Sequence, residues 1–197
     1  MAKKKLEELT VTGFEELQAR YRQLNDVDRV KNQEDVALAR AQGDLSENAD
    51  YDAACKKQAE IEEEIKRIEA TKQNCVVLLT KEVEKQLSEE AATLSKTETI
   101  ETSARLEALL FILDHKKFID AESISIGSVV VYRDLRRNVE KKIQIVGTVE
   151  ANPVEGKVSN ISPLGTALYK KSVGDVVSVK APQGDYQVEV ISFEVAK

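Results

Sequence analysis

The sequence predicts an α+β protein: an N-terminal antiparallel α-helical coiled-coil hairpin, followed by a compact, sheet-dominated α+β domain. Three observations carry this reading. Apolar residues recur at alternating steps of three and four from Phe14 to Leu24 and again from Tyr51 onward, the spacing of a coiled-coil seam. Gly43 interrupts the pattern between the two seams, where a hairpin needs its turn. From Ala121 short β-branched, partly alternating runs punctuated by glycine replace the helical period. The expected organisation is a hairpin over 1–80, a linking segment with one extra helix over 81–120, and the second domain over 121–197.

Element by element, Thr12-Gly13-Phe14-Glu15 has the form of a capping box, with a hydroxyl at the N-cap and a glutamate three residues on. Phe14, Leu17, Tyr21 and Leu24 then form the first seam, which weakens through Val27, Val30 and Val36 to Ala37, Ala39 and Ala41. The second seam runs through Tyr51, Ala54, Gln58, Ile61, Ile65, Ile68 and Cys75, with Lys72 in register. Two arms of about 30 residues would each reach roughly 45 Å, and such a finger exposes whatever sits at its turn. Over 80–117 a polar stretch gives way to Leu106, Leu109, Leu110 and Leu113, one amphipathic helix packing against a neighbour. Strands are expected at 128–132, 141–149, 176–180 and 186–193, and Pro163 should open a short helix through Leu168.

Composition narrows the function classes. The net charge of −6 and the pI near 5.1 exclude a general nucleic-acid coat, which needs a strong positive field. Aromatics at 5% and the lack of tryptophan exclude a broad stacking surface for single strands. An acidic protein that acts on nucleic acid should therefore reach it through another protein. Cys55 and Cys75 stand too far apart on one expected helix to pair, and with His115 as the only histidine there is no zinc quartet. Met1-Ala2-Lys3-Lys4-Lys5 is followed by Leu6-Glu7-Glu8-Leu9 where a signal peptide needs its apolar core. No apolar run is long enough to span a membrane. The expectation is a reduced, cytoplasmic protein.

The residues with chemical potential lie at the hairpin turn: Ala39-Arg40-Ala41-Gln42-Gly43-Asp44-Leu45-Ser46-Glu47-Asn48-Ala49-Asp50-Tyr51. Asp44 and Glu47 lie three apart across a turn that opens a helix, so both can aim hard carboxylate oxygens at one point. Such oxygens suit Mg²⁺, which keeps several waters and accepts few protein ligands. Two carboxylates hold that ion poorly alone; they could complete a site whose other ligands come from a second protein. The spacing alone equally admits a plain helix start, with Asp44 as cap and Glu47 in the first turn.

This string resembles the tip motif of the Gre transcription elongation factors, Ala-Arg-x-x-Gly-Asp-Leu-x-Glu-Asn-Ala-(Glu/Asp)-Tyr, at every specified position. Leu9-Thr10-x-x-Gly13-x-x-x-Leu17 resembles the family's opening. Ile145-Val146-Gly147, Ile161-Ser162-Pro163-Leu164-Gly165-x-Ala167-Leu168, Lys171, Gly174-Asp175, Pro182-x-Gly184 and Val188-Glu189-Val190 resemble its C-terminal half. The resemblance covers about Leu9–Asn74 and Gly127–Glu194, most of the chain.

It implies a second domain of FKBP-like fold that docks on RNA polymerase, with the hairpin inserted through the polymerase's secondary channel into a backtracked complex. Asp44 and Glu47 are then implied to stabilise a Mg²⁺ shared with the polymerase and its attacking water, and the polymerase itself cuts the 3′ segment of the nascent RNA. The resemblance makes the chain an accessory factor rather than an enzyme, monomeric when free, contacting nascent RNA and DNA only within the transcription complex. Arg40, with Asn48 and Tyr51, would support the tip or contact phosphate; as a surface arginine Arg40 needs neither role. Lys56 and Lys57 resemble the paired lysines of one Gre subtype, a basic spot for extruded RNA, and read equally as a solvated helix face. Ser162, Pro163 and Leu164 match the polymerase-contacting loop.

Three departures stand out: Ile161 where many relatives carry Asp or Asn, Cys55 where some carry Arg, and the length of 80–117. Three rival functions differ in what they require. A Gre-like factor that occupies the channel and inhibits without stimulating cleavage would fit an altered tip, and this tip is intact. A prolyl isomerase needs an aromatic-lined pocket, for which the second domain offers only Tyr132, Tyr169, Tyr186 and Phe193. A generic coiled-coil adaptor leaves the tip string unexplained.

Overall fold

The computed structural model describes residues 6–41, 49–96, 100–119, 122–182 and 184–195. In chain order the elements are β1 (Glu7–Thr10), α1 (Val11–Arg22), a π-helical segment (Gln23–Asp28), α2 (Arg29–Ala41), α3 (Ala49–Gln73) and β2 (Cys75–Leu79). There follow α4 (Lys81–Leu94), α5 (Ile100–Asp114), β3 (Lys116–Phe118), β4 (Ser128–Asp134), β5 (Val139–Val146) and a 3₁₀ turn (Pro153–Glu155). The chain closes with β6 (Lys157–Ser159), α6 (Pro163–Leu168), β7 (Val176–Val179) and β8 (Tyr186–Val195). These elements form two compact units, Glu15–Asn74 and the remainder, Met1–Phe14 with Cys75–Lys197.

The first unit is the helical hairpin. Its core is Leu24, Ile61, Ile65 and Ile68, with Leu17 and Tyr21 packed against them, so the apolar seam is concentrated in the half remote from the turn. Polar ties flank it: Arg20 donates two 2.9 Å hydrogen bonds to Glu64, Arg29 pairs with Glu62 at 2.7 Å, and the Tyr21 hydroxyl donates to Glu69 at 3.1 Å. Lys72 stands 5.2 Å above the Tyr21 ring, which accounts for its place in the seam's register. Beyond Leu24 the expected seam holds only in part. Ala39 and Ala54 are buried as expected, but Val27 and Val30 face outward, Leu38 is 65% exposed, and Asn32 is buried although the seam did not include it.

The hairpin is shorter than the expected 1–80, because both of its ends are drawn into strands. β1 pairs in parallel with β2, Leu9 opposite Val77 and Thr10 opposite Leu78. Helix α3 accordingly ends at Gln73, and Cys75 opens a strand rather than closing a seam. At the other end the helix begins two residues earlier than the capping-box reading. The Gly13 N–H donates to Thr10 Oγ1 at 2.9 Å, so Thr10, the last strand residue, takes the capping role assigned to Thr12. Phe14 leaves the seam and stacks on Phe111 at 4.7 Å, which in turn stacks on His115 at 3.9 Å. His115 is therefore half-buried against an aromatic ring rather than a free surface residue.

In the second unit β2 and β3 also pair in parallel, giving a three-stranded sheet of order β1-β2-β3. Residues 81–120 thus do more than link: they supply two helices and an edge strand, where one helix was expected. Thr80 Oγ1 caps α4 by accepting from Val83 N–H at 3.3 Å, and α4 buries Val83, Leu87 and Ala91. Arg105 on α5 ties to Glu90 on α4 at 2.8 Å. Within the leucine stripe Leu109 is fully buried beside Ile112, while Leu110 faces outward.

The larger sheet has the order β6-β5-β4-β8-β7, antiparallel except for β5 with β6, and a register shift at Val131/Tyr132. Its core includes Ile124, Val130, Ile145, Leu168 and Val188. Helix α6 spans the residues read from the sequence; β5 starts and ends earlier than expected, and β6 is an addition. One carboxylate links the two sheets. Thr10 N–H and Thr10 Oγ1 each donate to Glu150 at 2.7 Å. A Cβ on Gly13 would collide with that carboxylate, and one on Gly147 would collide with the Glu8 carbonyl oxygen. These contacts give a steric reason for two glycines of the resemblance.

Candidate functional site: the hairpin turn and the α6 loop

Asp44, Glu47 and Asn48 lie outside the described residues. The structure describes what brackets them. Arg40 stands at the end of α2 and Tyr51 in the first turn of α3. Arg40 Nη2 lies 3.5 Å from the Tyr51 hydroxyl, with the guanidinium 5.9 Å from the ring centroid. Contact with the phenol oxygen holds the guanidinium above its ordinary pKa; charged in any case, it joins the two arms just before the acidic string. Asp50 and Asp52 occupy the first turn of α3, where carboxylates complement the helix dipole.

Lys56 and Lys57 are exposed on α3. Lys57 also borders an open cleft of about 350 Å³ between α2 and α3, lined with Asn32, Asp35, Leu38 and Asp50 among others. Small residues, Ala39, Ala53 and Ala54, leave this space. Asn32 sits at its floor, 1% exposed, its Nδ2 donating to the Ala54 carbonyl at 3.0 Å. The sequence reading passed over both Asn32 and the cleft. The available signal was the run of charge at Asp28, Lys31 and Asp35, which sits where the apolar seam should have continued.

The second group of site residues belongs to the other unit. Ser162 Oγ accepts from Gly165 N–H at 3.0 Å and so caps α6, with Pro163 at its first position. Leu164 packs on the sheet core. Pro163 and its neighbour Ile161, 58% exposed, are the residues of this loop that face outward. Thr166 Oγ1 braces the loop by donating to the Asn160 carbonyl at 3.1 Å. Among the described residues, no three His, Cys, Asp or Glu side chains come together as a metal site, and no helix is long and apolar enough to cross a membrane.

The described residues give a helical hairpin whose arms flank the acidic string in sequence, and a second unit built on two sheets. Comparison with known proteins narrows the class. The family profile described as "Transcription elongation factor, N-terminal" matches residues 7–77, and "Transcription elongation factor, GreA/GreB, C-term" matches 119–195. The chain is 34% identical over 195 residues to transcription elongation factor GreA of Acholeplasma laidlawii, covering 98% of this chain and 100% of that one. It is 36% identical over 188 residues to GreA of Rickettsia bellii, covering 94% of each. Among solved structures, GreA factor homolog 1 (Gfh1) of Thermus thermophilus is similar at 22% identity, with a TM-score of 0.34 over 95% of this chain and 97% of that one.

The chain belongs to the GreA/GreB family of transcription elongation factors. Helices α4 and α5 and strand β3 fall in 78–118, between the two matched stretches.

Proposed function

We infer that this chain stimulates cleavage of the nascent RNA 3′ end by RNA polymerase in backtracked or arrested complexes, so that elongation resumes. The observation that carries the reading is the complete acidic string at a hairpin turn, in a chain related to GreA factors along nearly its whole length. The hairpin reaches the polymerase active centre through the secondary channel, while the sheet domain docks outside through the loop at Ile161, Ser162, Pro163 and Leu164. Asp44 and Glu47 present carboxylate oxygens to the polymerase centre. A Mg²⁺ shared with the polymerase supplies activation of the attacking water.

Arg40 and Tyr51 close the arms behind the tip, and Asn48 lies within the string they bracket. Lys56 and Lys57 offer positive charge to the phosphates of extruded RNA. In this reading the chain is not itself a nuclease, because the bond is cut by the polymerase. It acts as a monomer in the cytoplasm and meets RNA and DNA only within the transcription complex.

The test is RNA cleavage in a stalled polymerase complex, comparing the wild type with Asp44→Ala and Glu47→Ala. Both variants should lose stimulated cleavage and still compete with wild type for polymerase. Cleavage at the wild-type rate by either variant removes the tip from the mechanism. A wild type that binds and slows the polymerase without cleavage makes the chain a channel-blocking inhibitor.

A further inference from the structure

The first seam, Leu17, Tyr21 and Leu24, projects forward by steps of four and three onto Asp28, Lys31, Asp35 and Leu38. The structure buries Asn32 and Ala39 instead, each one residue later than Lys31 and Leu38. The π-helical segment Gln23–Asp28 lies between the two frames. A π turn takes up an extra residue, and one residue on an α-helix is a rotation of about 100°. An uninterrupted α-helix would turn Asp28, Lys31, Asp35 and Leu38 toward α3, and burying three charges to gain one leucine is unfavourable.

The shifted frame costs the seam that leucine, which is left 65% exposed, and in exchange buries an amide. That amide is directional. Asn32 Nδ2 donates to a backbone carbonyl, Ala54 O, at 3.0 Å, so it marks one position along α3 as well as one face of α2. A buried asparagine used in this way fixes register in coiled coils.

We propose that the π segment and Asn32 form a frame-setting device, with Asn32 as a positioning residue that fixes which face of α2 meets α3 up to the Arg40–Tyr51 contact. Its consequence for catalysis rests on the cleavage reading above; the frame itself does not. Asn32 acts through the hairpin backbone and touches no reacting atom.

The test uses the full-length protein with Cys55→Ser and a reporter thiol, Leu38→Cys, the remaining Cys75 being buried. In this background Cys at 38 should react rapidly with a maleimide. Lys31→Leu combined with Asn32→Lys places the apolar residue in the uninterrupted frame. It should slow labelling about ten-fold or more while far-UV circular dichroism is retained. At saturating factor, cleavage should fall by on the order of 100-fold, the scale expected for an ångström-level misplacement of a reacting group. The factor concentration giving half-maximal effect should stay unchanged.

Asn32→Ala is the milder variant should the exchange fail to fold. It should bring partial protection of the thiol and a partial loss of maximal cleavage. Unchanged labelling in both folded variants overturns the frame assignment. Protected thiol with wild-type cleavage overturns the positioning role. A wild type that never stimulates cleavage defeats the functional reading alone, and the labelling rates still decide the frame.

Discussion

The contact between Glu150 and the start of α1 makes a prediction in which one substitution changes sign. Glu150 accepts from Thr10 N–H and Thr10 Oγ1 at 2.7 Å each, and Gly13 leaves the space that its carboxylate fills. Hydrogen bonds to a charged group contribute about 1.5–3 kcal/mol each. Glu150 is only half-buried, so solvent screening should bring the pair together to about 2 kcal/mol, below the roughly 3 kcal/mol that two such bonds would give at the minimum. Glu150→Ala should cost that amount.

Gly13→Ala in the wild-type background displaces the carboxylate, which can swing away because it is the far end of a side chain. It forfeits the same ~2 kcal/mol and regains up to about 1 kcal/mol of helix propensity. The net effect is a loss of about 1 kcal/mol. In the Glu150→Ala background nothing remains to displace, and Gly13→Ala should stabilise by about 1 kcal/mol. The coupling energy of about 2 kcal/mol lies well above the ~0.5 kcal/mol scatter of independent sites. Urea unfolding of the four proteins measures it, with hydrogen exchange at the Thr10 and Gly13 amides reporting the site itself. Equal effects of Gly13→Ala in both backgrounds would refute the reasoning.

Three further outcomes are expected. The purified protein with Mg²⁺ and RNA should show no nuclease activity, since two carboxylates leave most of an ion's coordination to water; RNA cleavage without polymerase, in a nuclease-free preparation, would make the chain an enzyme. Hydrogen bonding from Arg20 holds the Glu64 carboxyl below its ordinary value of 4.5. That stability is present above the ordinary value and is lost as pH falls through the lowered one, so Arg20→Met should flatten this part of the acid limb and cost no more than about 1 kcal/mol at neutral pH. A fragment spanning residues 15–74 should stay helical through the Leu24–Ile68 cluster and support cleavage only at high concentration, having lost the second contact that raises its effective concentration. Full potency in that fragment would show that the sheet domain is not the anchor.

Much of this architecture was legible in the sequence, and the misreadings share physical causes. The hairpin helices, α6 and four strands of the larger sheet announced themselves through periodicity and turn residues. The three-stranded sheet did not, because its strands are short, parallel and far apart in sequence. Cys75–Leu79 looks apolar, but only its partners Glu7–Thr10 and Lys116–Phe118 make it a strand. Thr12 resembled the cap until strand pairing moved the start of α1 to Thr10. Helix α4 was hidden because its buried stripe, Val83, Leu87 and Ala91, is narrow within a charged segment. The acidic string and the α6 loop were found by resemblance, since D-x-x-E spacing alone cannot separate a metal-serving pair from a helix cap. Asn32 was missed because the reading followed apolar residues, through Val27, Val30 and Val36, and a buried asparagine carries no apolar signal.

The uneven seam of the hairpin has a physical logic that would suit the channel entry proposed above. Helix axes approach to about 8 Å only where the contacting side chains are small, against about 10 Å for larger ones. The half near the turn buries Ala39 and Ala54, and the half remote from it buries Leu24, Ile61, Ile65 and Ile68. Apolar burial, at about 25 cal/mol per Å², is therefore concentrated away from the turn, where bulk does no harm. Close to the turn little hydrophobic energy remains to choose one register over another. Directional contacts take over that choice: Asn32 to the Ala54 carbonyl, then Arg40 against Tyr51. A larger side chain at Ala39 or Ala54 would enter the cleft those alanines leave and crowd the Asn32 bond that sets the frame of the finger.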